Sequence, residues 1–133
     1  MQRGTLEVLL IGANGLKDTD FLGKMDPYVL LTYRTQEHKS SVAKDQGTKP
    51  NWNETFLFTV ADFQCDLNLK IMDKDNGSTD DFVGEVTIPI DAVLCEGSIP
   101  PRAYNVVRNN KFKGEINIAL AFFPEEERCN QDY

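Results

Sequence analysis

Hydrophobic positions along the chain recur every second residue. Leu6, Val8 and Leu10 alternate with Thr5, Glu7 and Leu9. Leu67, Leu69 and Ile71 alternate with Asp66, Asn68 and Lys70. Val86, Ile88 and Ile90 repeat the pattern, as do Ile116, Ile118, Leu120 and Phe122. A period of two is the mark of antiparallel strands with one face buried. Turn and breaker residues separate the runs: Gly12 to Gly15, Gly47 to Pro50, Asn76-Gly77 and Pro100-Pro101. The pattern predicts eight strands near 4–11, 27–34, 37–43, 52–60, 66–72, 83–90, 103–108 and 114–123. A short turn is expected over 91–96. Trp52, Phe56 and Phe58 alternate within one strand and read as core. The expected fold is an all-β, eight-stranded antiparallel sandwich. It forms one domain over 1–124, followed by an acidic tail over 125–133 that is expected to fray.

If each strand runs antiparallel to the one before, its connections alternate between the two ends of the sandwich. Residues 12–26, 44–51, 73–82 and 109–113 then share one end. That placement matters because of where the aspartates lie. Windows 18–26 and 73–81 hold seven of the chain's twelve aspartates. A net charge of −7 serves solubility, but solubility needs no clustering. An acidic chain is a poor match for nucleic acid. Its longest apolar runs, such as Val8 to Ile11, are too short to span a bilayer. MQRGTLEV does not read as a signal peptide, and Gln2 does not fit a myristoylation motif. Cys65, Cys95 and Cys129 have no metal-like spacing and read as thiols in a reducing, cytosolic setting.

Crowded carboxylates repel one another unless something offsets the charge. Asp73 and Asp75 are two apart where a strand ends, so in extended chain they point the same way. Asp20 and Asp26 bracket the loop FLGKM, and Pro27 biases Asp26 toward extended backbone. Together these form a ring of hard oxygen donors from two loops. Calcium suits such a ring, with 6–8 oxygens in flexible geometry, better than magnesium. Zinc prefers nitrogen and sulfur, and the one histidine, His38, is on another connection. Asp18, Asp45 and Asp80, taken singly, read as turn residues. An EF-hand fails on spacing: counting from Asp73, Gly77 falls at 5 and Glu85 at 13, and the flanks alternate as strands. There is no nucleophile–base pair for an enzyme.

The stretches LEVLLIGANGLKDTD, GKMDPYVLLTY, TKPNWNETFLF and LNLKIMDKDNGSTDDFVGEVTIPI resemble, in order, those of the C2 domain family. The order resembles the family's second topology, in which the N-terminal strand carries the first acidic loop. The narrower likeness is to small plant C2 proteins, including the elicitor-responsive group. The resemblance implies calcium ligands at Asp20, Asp26, Asp73, Asp75 and Asp81, with Asp26 and Asp73 bridging two ions. Phe82-Val83-Gly84-Glu85 sets the register that selects Asp81 over Asp80. Ser78 and main-chain carbonyls near Phe21 and Lys74 are further candidates. Phe21 and Leu22 at the first loop's tip are candidate membrane contacts. The function implied is calcium-dependent binding to anionic phospholipid membranes by a cytoplasmic monomer, recruited to the plasma membrane, with a place in plant defence signalling. The alternative is a calcium-independent domain that binds a protein partner, through the acidic tail or the Arg34–Lys39 strand. Arg34, His38 and Lys39 read as a solvated strand before a basic patch.

Overall fold

The computed structural model describes residues 3–19, 24–61 and 65–125. Alternation in the sequence is the burial pattern of the folded chain. Leu6, Val8, Leu10, Leu67, Leu69, Ile71, Ile116 and Ile118 all have no solvent-exposed surface. Burying each such side chain contributes roughly 1.5–3 kcal/mol.

Eight strands and one short helix result: β1 (Gly4–Asn14), β2 (Pro27–Tyr33), β3 (Gln36–Lys39), β4 (Asn51–Val60), β5 (Leu67–Asp73), β6 (Asp81–Ile88), α1 (Asp91–Glu96), β7 (Ser98–Arg108) and β8 (Lys111–Pro124). The hydrogen-bonded order is β3-β2-β5-β6-β7-β8-β1-β4, and every pairing is antiparallel. β6 and β7 pair only at Glu85 and Val107. That single join divides the strands into two four-stranded layers, which bury one shared core. The expected sandwich is therefore the observed one.

The free edges of the two layers, β3 and β4, close on each other through side chains. The Gln36 amide donates to the Thr59 carbonyl and accepts from the Thr59 N–H, both at 2.7 Å. It stands in for a neighbouring strand. His38 Nε2 meets the Leu57 carbonyl at 2.8 Å, and its ring lies 4.9 Å from that of Phe58 and 5.7 Å from that of Phe56. An edge held this way is a poor template for pairing with another chain. Trp52 and Phe58 are core residues, as expected, whereas Phe56 is half-buried and packs on the core's margin.

The two largest departures from the sequence reading are at the end of β3 and the start of β7. β3 stops at Lys39 instead of continuing to 43. Ser40 N–H donates to Val29 O at 2.9 Å, but Val29 N–H bonds the Ser40 hydroxyl at 2.8 Å in place of a carbonyl. The side chain substitutes for the backbone, and the ladder ends there. β7, conversely, begins at Ser98 and runs through Pro100-Pro101. A register shift between Ile99 and Arg102 accommodates them. Prolines lack the ladder N–H, so they fit where pairing is already interrupted. The 91–96 turn is a short helix ending at Gly97. Cys65 and Cys95 are free thiols; Cys129 and the tail beyond Glu125 lie outside the described residues. Among the described residues no helix is long and apolar enough to cross a membrane.

Candidate functional site

Asp73 is the last residue of β5 and sits on the strand's inward face, in line with Leu67, Leu69 and Ile71. Only 4% of its surface is exposed. A carboxylate buried that deeply is costly unless it is hydrogen-bonded. Its Oδ1 accepts the Asp26 N–H at 2.9 Å, across 47 residues of sequence, and its Oδ2 accepts the Thr19 hydroxyl at 3.0 Å. The register explains the meeting: Pro27 pairs with Asp73, so Asp26 stands one step beyond. Lys74 N–H returns a bond to the Asp26 carbonyl at 3.0 Å. The third loop joins through Asp45, whose N–H donates to Asp26 Oδ1 at 2.7 Å. Gly47 N–H bonds the Met25 carbonyl at 3.0 Å, and Ala43 N–H the Pro27 carbonyl at 2.8 Å. Residues 15–19 and 24–26 therefore meet the 40–50 and 74–80 loops at one pole, as strand parity predicts.

The turn from Asp73 to Asp81 is organised by its own carboxylates. Asp75 Oδ1 accepts the Gly77 N–H at 3.0 Å, closing an Asx-type turn. Asp75 N–H donates to Asp80 Oδ1 at 2.9 Å, and the Tyr28 hydroxyl donates to Asp80 Oδ2. Asp80 is thus a latch between this turn and β2. The Asp75 N–H, then the Tyr28 hydroxyl, hold the Asp80 carboxyl below the usual carboxylate range. The Gly77 N–H, then the Ser78 hydroxyl, do the same for Asp75. Burial, reinforced by Asp80, pushes the Tyr28 phenol up to about 12. Asp81 is exposed and pairs in register with Asp73.

The structure brings Asp26 and Asp73 into direct contact and sets Asp75, Ser78 and Asp81 on the adjoining turn. Asp20, Phe21 and Leu22 lie outside the described residues. Among the described residues, no three acidic, histidine or cysteine side chains form a ready-made metal cage. The donor chemistry nevertheless fits a hard divalent cation. A carboxylate offers about four acceptor sites, so the Asp45 N–H on Asp26, and the Gly77 N–H with the Ser78 hydroxyl and N–H on Asp75, orient these groups without exhausting them. His38, the one nitrogen donor to suit zinc, is engaged at the β3–β4 edge instead. Asp18, Lys24 and Lys49 line a neighbouring cavity of about 290 Å³ with Gln46, Gly47 and Thr48.

A fourth connection reaches the same pole. Asn109 and Asn110, at φ of 52° and 64°, form the two-residue turn between β7 and β8. At Gly114 an added Cβ would lie 2.6 Å from the Gly15 carbonyl oxygen, so the hairpin's base rests against the start of the first loop. Phe112, between Lys111 and Lys113, is 71% exposed. The sequence reading overlooked it, although an apolar residue between two lysines, in a connection assigned to this pole, was a usable signal. The strand holding His38 and Lys39 is no free basic patch: the Lys39 ammonium sits 4.7 Å from the Tyr28 ring centre.

A family model described as the C2 domain matches residues 4–106. The chain belongs to the C2 domain family. Such domains typically bind calcium and phospholipid membranes. The chain is 59% identical to the 16 kDa phloem protein 2 of Arabidopsis thaliana, covering 96% of this chain and 87% of that protein. A solved C2 domain-containing protein, from a gene described as elicitor-responsive, superposes with a TM-score of 0.84 at 56% identity over 97% of this chain and 95% of its own. A calcium-bound pair of C2 domains from Extended-Synaptotagmin 2 superposes with a TM-score of 0.80 at 26% identity, covering 92% of this chain and 46% of that one. Neither the phloem nor the elicitor-responsive description names an enzyme. The C2 topology is the one expected, with N-terminal β1 leading into the first acidic loop.

Proposed function

We propose that this C2 domain binds anionic phospholipid membranes in a calcium-dependent manner, and that Asp20, Asp26, Asp73, Asp75 and Asp81 form its cation site. The observation that carries the reading is the bond between the Asp26 N–H and the buried Asp73 carboxylate. It ties two aspartate-rich loops together at one pole. The calcium-bound state of the Extended-Synaptotagmin 2 neighbour supports the choice of cation.

The chain's own residues set the resting state. Seven aspartates stand against Lys17, Lys24 and Lys74, a net of −4 across the two loops. That charge repels anionic lipid. Asp80 and Tyr28 hold the 73–81 turn in shape, while the backbone bonds to Asp26, Asp73 and Asp75 orient their carboxylates. Ser78 and the main-chain carbonyls near Phe21 and Lys74 are the further oxygen donors of this reading. Bound calcium would offset the negative charge and offer open coordination to lipid phosphate oxygens. Lys24, Lys44 and Lys49 are exposed beside the site, where an acidic headgroup meets them. Phe21 and Leu22 are the apolar contacts of the first loop. Little of the fold needs to move, so the switch is electrostatic. On this reading the protein is a cytoplasmic monomer that becomes peripheral at the plasma membrane when calcium rises. The elicitor-linked neighbour supports a place in defence signalling.

Co-sedimentation with phosphatidylserine-containing vesicles tests the proposal. The expected result is pelleting in calcium, none in chelator, and none for the Asp73→Asn, Asp75→Asn double variant. Pelleting that ignores the chelator would overturn it.

A further inference from the structure

We propose that the β7–β8 hairpin is a membrane-contact element in its own right, with Phe112 entering the lipid interface between Lys111 and Lys113. This deepens the lipid-binding reading of the acidic pole and rests on it. The hairpin belongs to neither aspartate-bearing loop.

Strand geometry makes Phe112 unusual. The even-numbered positions Ile116, Ile118, Leu120 and Phe122 of β8 are buried in the core. Between the Asn105–Glu115 and Val107–Phe112 pairs β8 carries one extra residue, so Phe112 falls out of phase with that series and shares the outward face with the exposed Glu115. It is left 71% exposed, more than any other large apolar side chain among the described residues. Its backbone is held on a strand ladder. Val107 pairs with Phe112 and Arg108 with Lys111, on either side of the Asn109-Asn110 turn. A backbone already fixed on a ladder loses little further freedom when its side chain inserts.

Charge complementarity selects the occupant. The segment RNNKFKG, 108–114, carries three cations and no acid. Lysine can lay its alkyl stem along an apolar surface while its ammonium reaches a phosphate. An aromatic side chain flanked by two lysines suits the boundary between headgroups and acyl chains. It suits a protein interface poorly, since lysine is depleted from the cores of such interfaces. Position completes the case. The hairpin's base contacts Asn14 and Gly15 at the entry to the first acidic loop, so a membrane docked on that pole lies within the hairpin's reach.

The test uses the whole chain and phosphatidylcholine–phosphatidylserine vesicles, with calcium and with chelator. Phe112→Ala should weaken vesicle binding about ten-fold in calcium, and the Lys111→Gln, Lys113→Gln pair should weaken it by about five-fold per lysine. Phe112→Trp adds an indole whose emission should shift to the blue and be quenched by brominated lipid. The native Trp52 is buried and supplies a constant background. Urea unfolding of Phe112→Ala should match the parent, because the side chain is exposed. If the parent pellets with calcium while Phe112→Ala pellets equally and the added indole does not respond, the hairpin proposal is overturned and the pole's reading survives. If the parent pellets equally in chelator and the indole still shifts, the hairpin stands and calcium dependence falls. A parent that never pellets overturns both. A dimer that Phe112→Ala converts to monomer, with vesicle binding unchanged, would reassign Phe112 to self-association.

Discussion

Asp73 holds a carboxylate with 4% of its surface exposed, one residue in register from Asp26 and across from Asp81. Replacing it with asparagine keeps the shape. The amide oxygen can still accept the Asp26 N–H, and the amide NH2 can donate to the Thr19 hydroxyl. In chelator, Asp73→Asn should therefore unfold within about 1 kcal/mol of the parent, because one buried charge is gone and both bonds have replacements. The stabilisation that calcium gives the parent, about 2.7 kcal/mol at a hundred-fold excess over the dissociation constant, should vanish. Thermal unfolding with and without calcium reads both quantities; a calcium shift retained by the variant would remove Asp73 from the site. Tyr28 supplies a second test. Its folded-state value is raised to about 12 from 10.0, so the folded chain keeps the proton longer than the unfolded one. Its contribution is fully present below pH 10 and is lost as pH rises through 12. Tyr28→Phe should flatten the fall in stability across that window, measured as the urea midpoint. Tyr33 and Tyr104, also raised chiefly by burial, leave a residual slope. Asp75 and Asp80 act in the opposite sense. Held low, they stabilise above the usual carboxylate value, and that contribution is lost as pH falls through their lowered values.

Among the elements, alternation made β1, β5 and β8 legible, because a strand with one buried face writes its period into the sequence. The ends of β3 and β7 were not legible. A serine hydroxyl replacing a carbonyl at Ser40, and a bulge absorbing Pro100-Pro101, are choices made by the partner strand rather than by local propensity. The Gln36 clasp on Thr59 left no trace in the pattern for the same reason. The acidic loops divided similarly: clustering and parity marked the pole, yet the latch role of Asp80 depended on Tyr28, 52 residues away. The β7–β8 hairpin carries its own prediction. Gly114 has φ of 98°, and an added Cβ would lie 2.6 and 2.7 Å from the Gly15 and Asn14 carbonyl oxygens. Gly114→Ala meets both strain and clash, and should cost about 2 kcal/mol or more. That is a drop of several degrees in Tm for a domain of this size. A variant as stable as the parent would mean that the hairpin does not pack on the first loop.

Taken as a whole molecule, this C2 domain separates stability from function by position. The core, the β3–β4 clasp and α1 hold the sandwich, and the acidic carboxylates, exposed lysines and Phe112 collect at one pole. A net charge of −7 disfavours anionic surfaces, and on the proposed reading a local change of sign at that pole reverses the preference. The account depends on a divalent cation being held where the 15–26 and 73–81 loops meet. A calcium titration followed in the amide ¹H–¹⁵N spectrum tests this most directly. The expected result is saturable shifts at Asp26, Asp45 and residues 73–81, with Arg34 and Gly97 unmoved. Flat spectra throughout the titration, or shifts centred on the β2–β3 turn, would contradict it.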